Sequence, residues 1–167
     1  MLKRSILALA VLLAPGTLPL AGIGAPQGVG GEPSAASENG IVKVRSAYAM
    51  AETLDRLQKD IAGKGIKLFS VIDQARLAEE AGIKLRPSTL LVFGNPALGS
   101  QFMTSNPVAG LDWPVRLLVH QDESGGVWAA YTDFRTIAQR HGIRDRDAAF
   151  AKASEVIASI TSSVAKH

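Results

Sequence analysis

The sequence predicts an α+β fold: a two-layer sandwich in which about five mostly antiparallel strands form one sheet and the helices pack on one of its faces. Two patterns carry this. Short β-branched and aromatic runs alternate with amphipathic stretches at helical spacing, and a hairpin signal, Asp122-Glu123-Ser124-Gly125-Gly126 between two apolar runs, makes neighbouring strands antiparallel. Size agrees. A chain of 167 residues with 47% hydrophobic and 20% charged residues suits one globular domain with a buried core.

The chain opens with Lys3-Arg4 followed by the unbroken apolar run Ile6–Ala14, then Pro15-Gly16 and the small residues of Ala21–Ala25. This is the form of a cleaved signal peptide over residues 1–24, the run being shorter than the roughly 20 apolar residues that span a bilayer. The expected location is therefore periplasmic or secreted, with membrane attachment only through an uncleaved leader. Residues 25–40, rich in Gly, Pro, Ser, Ala and Gln, hold too little apolar mass to fold and read as a flexible linker. The single domain is expected over residues 41–166.

Within it, Ile41–Ser46 reads as a strand. Met50, Leu54, Leu57 and Ile61 then recur on one helical face, and Gly63 and Gly65 end that helix. Ile66–Ile72 is a second strand, and Asp73 stands where a side-chain acceptor would cap the next helix. That helix is short, with Ala75, Leu77, Ala78 and Ala81 expected inside and Gly82 as its stop. Thr89–Phe93 is a continuous apolar strand, expected to be buried on both faces. Asn95-Pro96 starts a helix to about Thr104, with Asn as N-cap and Pro at the first helical position, and Asn106-Pro107 repeats the signal for a short turn. Pro114–Gln121 and Val127–Thr132 form the hairpin. Asp133 caps a helix holding Phe134, Ile137 and Ala138 and closed by Gly142. Ala149, Ala153, Val156, Ile157, Ile160 and Val164 share one face of a last helix beginning near Asp145.

These segments also carry a resemblance. Thr53-x-x-x-Leu57, Phe69–Asp73, Leu91-Val92-Phe93-Gly94-Asn95-Pro96, Leu111-Asp112-Trp113-Pro114, Val127-Trp128-x-x-Tyr131 and Arg140-His141-Gly142 occur in that order. The pattern, over about Ala51–Ile143, resembles the family of bacterial domains of unknown function numbered 302. The resemblance implies a compact α+β sandwich and brings no reaction. Three positions depart from the family's habit: Gln74 where a histidine is usual, Ala97 where a lysine is common, and His120 where an aromatic is frequent.

Charge and composition exclude several functions. The formal charge of +3 falls to +3 − 2 = +1 without Lys3 and Arg4, and no basic cluster is interleaved with aromatics, so nucleic acid is not an expected partner. With no cysteine there is neither a disulfide nor a thiolate site. The three histidines have no metal-ligand spacing, so no metal and no cofactor are expected. There is no Gly-x-Ser-x-Gly elbow. Gly94–Gly99 links strand to helix but lacks the lysine and hydroxyl of a phosphate loop.

What remains are ligand-binding candidates at Asp73, Asn95, Asp112, His120 and Trp128; the catalytic residues are unknown. Asp73, Asn95 and Asp133 each stand between a strand and a helix, where capping worth about 1 kcal/mol accounts for them. If Gln121 pairs with Val127, His120 faces Trp128, and Arg116 and Thr132 share their side; an ordinary sheet face would look the same. His141 reads as a helix C-terminal residue favoured by the dipole. The function expected is a non-catalytic ligand-binding or protein-interaction module, with a small-molecule ligand or a homodimer as partner. The alternative is a metal-independent enzyme with a polar site at one sheet end around Asp73, Asn95 and Asp112.

Overall fold

Asparagine, proline, glycine and the β-branched residues set the element order seen in a computed structural model, which describes residues 39–166. The leader expected over residues 1–24, most of the linker expected over 25–40, and His167 lie outside the described residues. The strands are β1 (Ile41–Arg45), β2 (Lys67–Asp73), β3 (Ser88–Gly94), β4 (Val115–Gln121) and β5 (Val127–Thr132). The helices are α1 (Met50–Gly63), α2 (Gln74–Glu80), α3 (Pro96–Ser105), α4 (Phe134–Arg140) and α5 (Asp147–Ser162), with a 3₁₀ turn at Pro107–Leu111. The strands make one antiparallel sheet in the order β1-β5-β4-β3-β2.

Alternation along the strands decides the core. Thr89, Leu91 and Phe93 of β3, Leu117 and Val119 of β4, and Val127 and Ala129 of β5 are buried on one side. They pack with Leu57 and Ile61 of α1 and Ile157 and Ile160 of α5. The other side carries Leu90, Val92, Leu118, His120 and Trp128, which are half-buried. β3 is therefore not buried on both faces as its unbroken apolar run predicts. It is antiparallel to both neighbours, and the helical layer closes only its Leu91 side.

The caps follow the sequence closely. Asp73 accepts from the Arg76 N–H, Asn95 from the Ala97 and Leu98 N–H groups, Asn106 from Val108 and Asp133 from Arg135. Three helices end on the same dipeptide, Gly-Ile. Gly65, Gly82 and Gly142 have φ of 66°, 74° and 62°, which only glycine adopts without strain. Behind each, the isoleucine N–H reaches back to a carbonyl of the last turn: Ile66 to Ile61, Ile83 to Ala78 and Ile143 to Ala138. Ile66 packs on the core and Ile143 is buried within it. Ile83 is not; it is 62% exposed.

The same helix, α2, departs from expectation in its other residues. Ala75, Leu77, Ala78 and Ala81 were expected inside, yet α2 has no buried residue and Leu77 is 48% exposed. Its apolar spacing is that of a core helix, but although it rests on β3 with Ala75 and Ala78 half-buried, Leu77 and Ala81 are exposed.

Candidate functional site

The structure separates the polar residues that the sequence left together. Asp73 pairs with Thr89 at the start of β3, whereas Asn95 follows the end of that strand, six residues on from Thr89. At about 3.3 Å per residue they stand on the order of 20 Å apart, at opposite ends of the sheet. Asp112 precedes β4 and lies at the Asn95 end. The expected site around Asp73, Asn95 and Asp112 is thus corrected: antiparallel pairing of β2 with β3 sends Asp73 away from the other two.

Asp112 sits in a different constellation. Its side chain is 5% exposed. Arg140 Nη1 donates to both its oxygens at 2.9 Å, Arg116 Nη2 donates to Oδ1 at 3.0 Å, and His141 Nε2 lies 2.7 Å from Oδ2. Burial acts to raise the pKa of this carboxyl, but the hydrogen bonds from His141 and Arg140 outweigh it and hold it below the ordinary aspartate value. Asn106 adds a bond from Nδ2 to the His141 carbonyl at 2.9 Å. Every oxygen of Asp112 is occupied, so the cluster fastens the 3₁₀ turn and β4 to the end of α4 and leaves no lone pair aimed at a substrate. Arg140 and His141 as partners of Asp112 were missed by sequence reasoning. The contact spans 28 and 29 residues, and its signal was the presence of Leu111-Asp112-Trp113-Pro114 and Arg140-His141-Gly142 in one family pattern.

The hairpin has the register expected, with Gln121 opposite Val127 and His120 opposite Trp128. Trp128 is held by its own turn: Nε1 donates to Asp122 Oδ2 at 2.7 Å, while Asp122 Oδ1 accepts from the Ser124 and Gly126 N–H groups. The indole bond is the largest of the causes that lower the Asp122 pKa to about 2. Arg45 of β1 lies 5.8 Å from the centre of the Trp128 ring. His120 borders a shallow hollow of about 740 Å³ shared with residues 84–88 and Leu118.

Another concavity lies at the Asn95 end. A cleft of about 710 Å³ opens between α3, α5 and the end of β3, lined by Phe93, Leu98, Phe102, Trp113, Val115 and Val156, with Lys64, Lys152 and Glu155 also on its wall. Its volume lies within the range of small-molecule sites, roughly 300–1,000 Å³. Two glycines shape it. A Cβ at Gly99 would overlap the Trp113 indole, and one at Gly94 would come within 3.1 Å of it, so these positions let the ring lie flat against the backbone. Asn95 borders the cleft as the cap of α3. Of the sequence candidates, Asn95 alone lines this cleft. Among the described residues no group of three or more His, Asp and Glu stands where it could hold a metal ion.

Comparison with known proteins agrees with this fold. The chain is similar to the crystal structure of an uncharacterized conserved protein DUF302 from Bacillus stearothermophilus, with a TM-score of 0.69 and 17% identity over 75% of this chain and 98% of that one. It is 38% identical over 106 residues to proteins named fluoride-specific ion channel FluC 1 from Brucella suis biovar 1 (strain 1330) and Brucella abortus biovar 1 (strain 9-941). That match covers 64% of this chain but only 42% and 39% of those relatives, so the chain spans about two fifths of their length. The family described as domain of unknown function DUF302 matches residues 42–162, and the chain belongs to it.

Proposed function

We propose that this chain is an exported, non-catalytic binding module that takes a small apolar ligand in the cleft between α3 and α5. One observation carries the reading: the cleft is walled by aromatic and aliphatic side chains, and its shape depends on glycines at 94 and 99. Burying apolar ligand surface against such walls contributes roughly 25 cal/mol per Å². The buried carboxylate nearest to being a chemical group, Asp112, is fully engaged in holding the fold together. Export is supported by the leader sequence, Lys3-Arg4 ahead of Ile6–Ala14. No helix of the described residues is long and apolar enough to cross a membrane. The partial match to longer chains named as fluoride-specific ion channels supports a module that works beside other domains.

The test uses the protein's own fluorophore. The chain has two tryptophans, so Trp128→Phe leaves Trp113, on the cleft wall, as the single reporter. Titrated with anilinonaphthalene sulfonate, this variant should show saturable transfer from Trp113 to the dye. Adding Ala97→Phe at the exposed mouth should weaken dye binding about tenfold, a change of about 1.4 kcal/mol. Trp113 emission indifferent to the dye, or unchanged binding when the mouth is narrowed, would remove the cleft as a binding site.

A further inference from the structure

The sheet has two faces and the described helices cover one. Strand register shows what stands on the other. Ile72 of β2 lies opposite Leu90, Leu90 opposite Leu118, Leu118 opposite Ala130 and Ala130 opposite Lys43, so one row of side chains crosses all five strands. Residues directly opposite share a face. This row alternates with Leu91, Leu117 and Ala129, which are buried under the helices, and therefore points away from them. The neighbouring rows set Val92 beside Arg116, and His120 beside Trp128 and Arg45. The patch is contiguous.

Ile72, Leu90 and Leu118 are half-buried, and Ala130 is 8% exposed. β3 and β4 are thus apolar on this side as well as on the core side, the pattern of strands covered on both faces. The loop at 84–88 only borders the row, forming with Leu118 and His120 the shallow hollow described above.

Charge on this face has one sign. Its strands present Lys43, Arg45 and Arg116 there, with His120, and no carboxylate; the lone acid within any strand, Asp73, pairs with Thr89 on the core side. Three carboxylates border the patch and each is already held, Asp112 by Arg116, Asp122 by the Trp128 indole and Glu123 by Arg86. Arg45, over the Trp128 ring, and Lys84, at the hollow, have no carboxylate partner among the described residues. A second copy docked face to face would set like charges against each other. A bilayer takes apolar side chains that protrude, and none of this row belongs to the exposed apolar residues.

A flat apolar face with a basic rim suits a polypeptide that brings its own apolar side chains to the centre and acids to the edge. The row is about 19 Å across at about 4.8 Å per strand, the length of about 13 residues of helix. We infer that this face docks an amphipathic helix of a partner protein, apolar along one side and flanked there by Asp or Glu. Its apolar side lies on Leu90 and Leu118, and its carboxylates meet Arg45 and Lys84. The cleft opens on the helical side of the sheet, so the two sites are separate.

Two hydrocarbon-stapled synthetic helices of about 14 residues test it. One has leucines spaced three and four apart with glutamates beside them, and the other has lysines in place of the glutamates. Titrated into the purified chain and followed by nuclear magnetic resonance, the glutamate helix should saturate below about 1 mM and move the methyl signals of Leu90 and Leu118. The lysine helix should bind at least about tenfold more weakly. Arg45→Glu with Lys84→Glu, both at exposed positions, should reverse that order, which loss of the fold would not do. No saturation, equal binding of the two helices, an order that survives the double variant, or shifts confined to Trp113 and the cleft would overturn the inference. So would Leu90 and Leu118 signals that change with protein concentration alone, which would seat a second copy there, or that respond to phosphatidylglycerol vesicles and not to the glutamate helix.

Discussion

The units β2–α2 and β5–α4 are built to one plan and end in opposite situations. Each is a strand, a capping aspartate, a seven-residue helix and a Gly-Ile stop: Asp73, Gln74–Glu80, Gly82-Ile83 in one, and Asp133, Phe134–Arg140, Gly142-Ile143 in the other. The second buries Phe134, Ile137 and Ile143 and ends in the Asp112 cluster. The first buries none of its helical residues. Caps and turn glycines therefore write the local shape of both helices, while neighbours decide whether the shape serves the core or a surface. Phe134 meets Phe102, which stacks on Phe150 at 4.2 Å, because α5 packs against α4; α2 rests on β3 and leaves Leu77 exposed.

Mutations should expose the asymmetry, and the largest effect belongs to the core. Phe134→Ala should cost about 3–5 kcal/mol of unfolding free energy in urea. Leu77→Ala, measured in dilute protein, should stay within about 0.5 kcal/mol. Equal losses at the two positions would dissolve the distinction between the units.

Next in size is the corner fastened by Asp112. Asp112→Ala strands Arg140 and the buried ring of His141, and should cost about 3 kcal/mol. Asp73→Ala removes only a cap and should cost about 1 kcal/mol. The corner also carries a pH signature. Asp112 and Asp133 both have a pKa lowered in the folded state, where the bonds to their neighbours outweigh burial. The unfolded chain therefore takes up their protons first. Their contribution is complete above the ordinary carboxylate range, near pH 4, and is lost as the pH falls through the lowered folded values. Asp112→Asn should flatten the fall in midpoint temperature between about pH 5 and pH 2; a slope equal to wild type would mean that the cluster does not form in solution.

The smallest effect is the most even. Gly82→Ala and Gly142→Ala each force alanine to a φ near +70°, with open space around both positions, and each should cost about 1 kcal/mol. Ile143→Ala should then add about 2–3 kcal/mol through its cavity, while Ile83→Ala in dilute protein should add almost nothing.

Much of this was legible in the sequence for local reasons. The order of strands and helices, the caps at Asp73, Asn95 and Asp133, and the hairpin register that sets His120 against Trp128 all follow from residues within a few positions of one another. The Asp112 cluster was hidden because no periodicity links position 112 to positions 140 and 141. The emptiness of α2 was hidden for a different reason. Ala75, Leu77, Ala78 and Ala81 have the same spacing whether something covers them or not. The aromatic cleft was missed because Phe93 reads as part of an apolar strand and Trp113 stood out only in the family pattern, and only the overlap a side chain at Gly99 would make with Trp113 shows why a glycine stands there.

Hydrogen exchange separates the two units most directly. Amides of α4, and that of Ile143 behind it, should be strongly protected. Those of α2, and that of Ile83, should exchange readily. Exchange in α2 as slow as in α4 would contradict the view that only the second unit is part of the core.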